Sequence, residues 1–154
     1  MLSQTTGYAI TALGHLAREP GSSLLVKQIS KATGIPAAYL SKIINTLAKK
    51  RFVATQRGIG GGVSLAKKPE DIKLYDICVA LDDPLIHGPC MLGTADCTDE
   101  RACPCHQFWV EHRDKELSFL RQMSLVHVAQ FEERMVELRA KPRPAPRMRA
   151  PRLE

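Results

Sequence analysis

The sequence predicts a mainly α-helical chain with one small β-hairpin, and three observations lead there. Four stretches before residue 82 place apolar residues at helical spacing. One glycine-rich segment, Arg57-Gly58-Ile59-Gly60-Gly61-Gly62, separates two short strand-like runs. Beyond Trp109 an apolar stripe recurs close to the 3.5-residue period of a helix that pairs with another helix.

Taken in order, Ser3 can cap a first helix whose apolar positions are Tyr8, Ile10, Leu13 and Leu16 and which stops at Pro20-Gly21. A second segment, residues 25–33, carries Val26, Ile29 and Ala32 and ends at Gly34. Ile35 and Pro36 open a third helix to about residue 50, with Leu40, Ile43, Ile44 and Leu47 on its inner face. Two short helices joined by a tight glycine turn form a helix-turn-helix, whose second member enters the DNA major groove. Its outward residues are Ala38, Ser41, Lys42, Asn45 and Lys49. Any soluble amphipathic helix shows a polar outer face, so the neighbouring hairpin carries the weight. Residues 52–56 and 63–65 read as strands joined by an almost bare glycine tip with one arginine. Gly60 and Gly61 let that tip approach a DNA backbone closely, and Arg57 suits a narrow minor groove. No Lys-Ser/Thr pair comes after it on a helix, so a nucleotide-phosphate loop is disfavoured.

Residues 74–81 read as a further helix burying Leu74, Ile77, Cys78 and Leu81, with Cys78 a small core residue rather than a ligand. Asp82, Asp83 and Pro84 end it and begin a cysteine loop. The final stripe, Leu117, Leu120, Ser124, Val128, Phe131, Met135 and Leu138, reads as one long helix that needs a partner, and a symmetric dimer is the simplest source. His112 and His127 read as surface or interface residues. The resulting organisation is a winged helix-turn-helix unit over residues 1–82, a cysteine loop over 83–109, a dimerisation helix over 110–139 and a disordered basic tail over 140–154.

Within sixteen residues lie Cys90, Cys97, Cys103 and Cys105, with His106 immediately after them. Soft thiolates with one imidazole suit zinc or an iron-sulfur cluster far better than calcium or magnesium. Pro104 suits a first helical position, which makes Cys103 the N-cap and His106 the third helical residue, able to share one metal centre. Cys105 points roughly 100° away from His106 around the helix and is the less natural ligand. The exposed N–H groups of that helix start favour an anionic thiolate cluster. An odd cysteine count and the lack of a signal-peptide pattern argue against a disulfide scaffold. Spacing alone leaves cluster and structural zinc about equally matched, since the spacers of six and five residues lack paired C-x2-C knuckles.

The 154 residues suffice for one ordinary domain with an oligomerisation arm, and 44% hydrophobic content supports a packed core. No apolar run is long enough to cross a bilayer, so the expectation is a soluble cytoplasmic protein with no membrane partner. The net charge of +6 belongs to the first 82 residues and the tail, whereas residues 83–139 are net acidic. A basic module joined to an acidic thiol-rich segment points to nucleic acid at one end and sensing or pairing at the other.

The Tyr8-Ala9 helix, the Arg57-Gly58-x-Gly60-Gly61-Gly62 wing, Leu74-Tyr75-Asp76-Ile77, the Cys90/Cys97/Cys103 trio and Cys103-x-x-His106-x-x-Trp109 together resemble the Rrf2 family of bacterial winged-helix transcription regulators over residues 1–139. The resemblance implies a homodimer on a near-palindromic double-stranded DNA site, with a recognition helix of each subunit in the major groove and Arg57 in the minor groove. It also implies an iron-sulfur cluster on Cys90, Cys97 and Cys103 that senses redox state, iron or nitric oxide. IscR-like members take a histidine matching His106 as fourth ligand, and NsrR-like members an acidic residue where Gly7 stands here, which favours His106 and a 2Fe-2S cluster. A first spacer longer by one residue and the extra thiol of Cys105 keep a 4Fe-4S cluster, or Cys105 as ligand, open as alternatives. The rival reading is a DNA-binding regulator with structural zinc or an empty cysteine site. An enzyme is not expected: a thiol oxidoreductase on Cys103 and Cys105 lacks a C-x-x-C pair.

Overall fold

The computed structural model describes residues 1–58, 60–88, 90–93, 98–101 and 103–140. The expectations for Cys97 and for the tail beyond residue 140 therefore lie outside the described residues. Helix α1 (Gln4–Ala17) starts where Ser3 Oγ accepts the Thr6 amide at 3.2 Å and buries Ala9, Ala12, Leu13, Leu16 and Ala17. Helix α2 (Val26–Thr33) buries Ile29 and stops at Gly34, whose φ of 75° no β-carbon impedes. Ala32, expected on the inner face, is exposed; only one strongly apolar residue per two turns is needed to seat so short a helix. Helix α3 (Ala37–Lys49) buries all four expected residues. Ser30 Oγ donates to the Ile35 carbonyl at 2.6 Å and holds the turn between α2 and α3.

Strands β1 (Val53–Gln56) and β2 (Gly62–Leu65) pair antiparallel, Val53 opposite Leu65 and Gln56 opposite Gly62. Leu24, ahead of α2, adds a one-residue third strand by exchanging both backbone hydrogen bonds with Val63, at 3.0 and 2.8 Å. A 3-10 turn, Pro69–Asp71, leads to α4 (Leu74–Ala80), where Cys78 is fully buried as expected. Burial, and then the nearby Asp83 charge, push the Cys78 thiol up to about 11, which keeps it protonated and unreactive. Among the described residues no helix is long and apolar enough to cross a membrane.

Two differences from the sequence reading matter. Pro84–His87 forms its own short helix, α5, capped by Asp83, where the reading had the cysteine loop begin. The expected single C-terminal helix is two: α6 (His106–Gln122) and α7 (Leu125–Ala140). Met123 has an extended backbone, its carbonyl accepts the Leu74 amide at 3.0 Å, and the Leu125 amide donates to the Ile72 carbonyl at 3.0 Å. Ser124 caps the new helix together with His127, whose Nδ1 lies 3.1 Å from the Ser124 amide. A serine that reads as a stripe position is thus a helix start. Helix α7 folds back on α1, burying Leu125 and Ala129, and a β-carbon on Gly14 would collide with Val128. Phe108, Phe119, Phe131 and Val136 stay exposed on α6 and α7.

Asp83 is the one fully buried carboxylate of the described core, 1% exposed. Its Oδ2 accepts the Ser3 amide at 3.0 Å and the Ser3 hydroxyl at 2.7 Å, and its Oδ1 accepts the Leu85 amide at 3.0 Å. Burial alone pushes this carboxyl up; the hydrogen bonds from Thr6, Ser3 and the Leu85 amide together outweigh it and hold the pKa below the ordinary aspartate value. A carboxyl depressed in the folded state stabilises the fold above the unfolded-state pKa and loses that contribution as pH falls through the folded one. Asp83→Ala should therefore cost about 3 kcal/mol in chemical denaturation at pH 7. Asp83→Asn should remove part of the stability loss seen as pH falls below the ordinary aspartate range; an unchanged acid-unfolding profile would contradict this role.

Candidate nucleic-acid interface and cysteine loop

Helices α2 and α3 and the wing enclose an open hollow of about 440 Å3. Ser41 and Asn45 face it from α3, Thr55, Gln56 and Arg57 from the first wing strand and its end, and Gly61 from the tip. Four of the expected DNA-contact residues, Ser41, Asn45, Arg57 and Gly61, thus meet in one place. Ala38 and Gly60 are exposed at its edge, while Lys42 lines a different cleft with Thr5 and Leu81. Ser41 Oγ donates to the Ala37 carbonyl at 2.8 Å, so as it stands it can meet a base only as an acceptor. The wing tip is held by the Gly61 amide on the Gly58 carbonyl at 3.0 Å. Gly58 and Gly60 sit at φ of 98° and 77°, and a β-carbon on Gly61 would run into the Gln56 carbonyl.

Thr55 and Gln56 escaped the sequence reading, although their place beside Arg57 on the wing was a usable signal. Tyr39 escaped too. It lies on the first turn of α3, its hydroxyl 2.5 Å from Thr5 Oγ1 and its ring edge-on to Tyr8 at 5.8 Å. These contacts fasten the start of the recognition helix to the start of α1, where Asp83 holds Ser3.

The cysteine loop leaves α5 and returns at α6. Cys90 is buried; Cys103 and Cys105 are half-buried. The helix begins two residues later than expected: Cys105, not Cys103, is the N-cap, and Cys103 to His106 is a tight turn closed by the His106 amide on the Cys103 carbonyl at 3.0 Å. Cys105 keeps an αR backbone with no side-chain cap bond, so Pro104 sits in the turn rather than in the helix. His106 Nε2 lies 2.6 Å from Asp99 Oδ1. Among the described residues no three His, Cys, Asp or Glu side chains gather to hold a metal ion. The donor set nevertheless fits a thiolate cluster, and so do the surroundings. Gly88, two residues before Cys90, has no β-carbon, and the Arg113 guanidinium occupies that space with its Nε buried and without a hydrogen-bond partner.

Residues 2–130 match the model of a family described as Rrf2, iron-dependent transcriptional regulator. The HTH-type transcriptional regulator IscR of Vibrio atlanticus is 32% identical over 119 residues, 77% of this chain and 68% of that protein. Among solved structures, CymR, the global cysteine regulator of B. subtilis, aligns with a TM-score of 0.71 at 23% identity, covering 85% of this chain and 97% of that one. IscR of T. potens aligns at 0.65 and 24% identity, covering 87% and 88%. At these identities the structural likeness speaks for the fold. Arg57→Ala and Asn45→Ala should each weaken duplex-DNA binding by about 1–3 kcal/mol in fluorescence anisotropy, with unfolding of the core unchanged. Wild-type affinity in both variants would remove the hollow as the DNA-contact surface.

Proposed function

The chain belongs to the Rrf2 family of transcription regulators, and we propose that within it this protein is a homodimer whose grip on a near-palindromic DNA site is set by an iron-sulfur cluster. Each α3 enters a major groove with Ser41 and Asn45 towards the bases, and Arg57 enters the adjacent minor groove. Ala38, Lys42, Gly60 and Gly61 flank these contacts. Two-fold symmetry is supported by the exposed Phe119, Phe131 and Val136 of α6 and α7, which a second copy covers.

Cys90, Cys97, Cys103 and His106 hold the cluster, preferred as 2Fe-2S. When bound it supplies a group that oxidants, nitric oxide or iron shortage remove. The residues' own task is mechanical. His106, which lies against Asp99, would turn to serve as the fourth ligand, and Cys90 and Cys103 would be held together across the loop between α5 and α6. The observation that carries the reading is the Asp83 clasp. It joins α5, at the loop's entrance, to the start of α1, and Thr5 and Tyr8 join that start to Tyr39 on α3. A change in the loop thus has a contiguous path to the recognition helix.

A second reading has its own support: the fold also matches a protein named as a cysteine regulator, and Cys103 and Cys105 are partly accessible thiols. In that case reversible thiol oxidation, with no metal, would move the same turn.

Anaerobically prepared protein should contain iron and sulfide in equal amounts, with a visible absorption lost in Cys90→Ser and Cys103→Ser. Cluster-loaded and cluster-free protein should differ in DNA affinity by about 5- to 150-fold, and Asp83→Asn should shrink that ratio. Stoichiometric zinc in a colourless protein would favour a structural site instead. Equal DNA affinity of the two forms would end the sensing role.

A further inference from the structure

Away from both the DNA hollow and the cysteine loop, a cavity of about 120 Å3 sits at the C-terminal end of α1, lined by His15, Arg18, Glu19, Ser22 and Leu24. Two of the three buried side-chain polar atoms that lack a hydrogen-bond partner among the described residues, Arg18 Nε and Ser22 Oγ, belong to residues of this one cavity. Its volume is that of about four waters at ~30 Å3 each, enough for a tetrahedral oxyanion. Leu24 on its wall pairs with Val63 at the root of the wing, and the next residue, Leu25, already lines the DNA hollow.

The geometry points to an oxyanion site in this cavity: Arg18 and Ser22 hold a phosphate-type anion, and its source is either free phosphate or the DNA backbone beside the wing. A guanidinium is protonated at every accessible pH, and no ion pair holds that of Arg18 among the described residues. Arg18 is half-buried and shares a neighbouring cleft with Glu70 and Glu133, but its Nε–H is out of water, and an anion with acceptor oxygens for both Nε–H and Oγ–H satisfies the two orphaned donors together. His15 does not compete as a second cation. Burial, then the Arg18 charge, lower its pKa, with Glu132 and Glu19 acting in the opposite sense, so at neutral pH it offers a neutral ring. Glu19 at the rim and Glu132 on α7 oppose an anion, which sets the expected affinity for free phosphate in the millimolar range rather than tighter. The site is independent of the cysteine loop and of whatever fills it.

Full-length protein titrated with sodium phosphate, against sodium chloride at matched ionic strength, tests the idea when the Arg18 Nε–H resonance and the thermal midpoint are tracked together. Saturable shifts with phosphate alone, weakened about tenfold in Arg18→Gln and in Ser22→Ala, would identify free anion as the ligand. No saturable response to phosphate, with a salt dependence of duplex binding shallower by about 0.9 in Arg18→Gln and weaker duplex binding at fixed salt in Ser22→Ala, would identify a backbone phosphate. Ser22→Ala removes a single hydroxyl, so a fold failure in Arg18→Gln leaves the test standing. A wild-type response to phosphate no different from chloride, joined to unchanged duplex affinity in Ser22→Ala, overturns the site.

Discussion

The fold turns on a buried carboxylate. Asp83 lies out of water, and a charge there costs several kcal/mol unless hydrogen bonds replace its hydration. Ser3, Thr6 and Leu85 supply them, joining positions 80 residues apart in the chain. Asp82, immediately before it, adopts a φ of 53°, a left-handed conformation that aspartate tolerates better than most side chains and that turns the chain so that Asp83 faces inward. Since α1 packs against α2, α3, α4 and α7, fixing its first turn sets the origin from which those four helices are placed.

Seen from that origin, the cysteine loop is closed at both ends. Asp83 and α5 hold one end, and α6 holds the other, with Arg113 from α6 lying on Gly88. The thiols of Cys90, Cys103 and Cys105 therefore lie between two anchored ends, one on α5 and one on α6.

The local parts of this arrangement were legible in the sequence. Apolar spacing gave α1 to α4, Ser3 and Gly34 marked their ends, and the glycine run marked the wing. Ser41, Asn45, Arg57 and Gly61 were named together and share one hollow. What escaped depends on partners far along the chain. Nothing near Asp83 announces that its ligands are at residues 3 and 6, and Tyr39 reads as a surface aromatic until Thr5 is beside it. The break at Ser124 was hidden because two helices with separate apolar faces can mimic one continuous stripe; only pairing with Lys73 and its neighbours distinguishes them. The late start of α6 is a smaller miss of the same kind, since Pro104 suits a turn as well as a first helical residue.

The bare side of α1 at Gly14 has a mechanical meaning. Val128 fills the space a β-carbon would need, so the notch sets how deeply α7 settles on α1. The extended joint at Met123 and Ser124, pinned by backbone bonds to Ile72 and Leu74, sets the direction from which α7 arrives there.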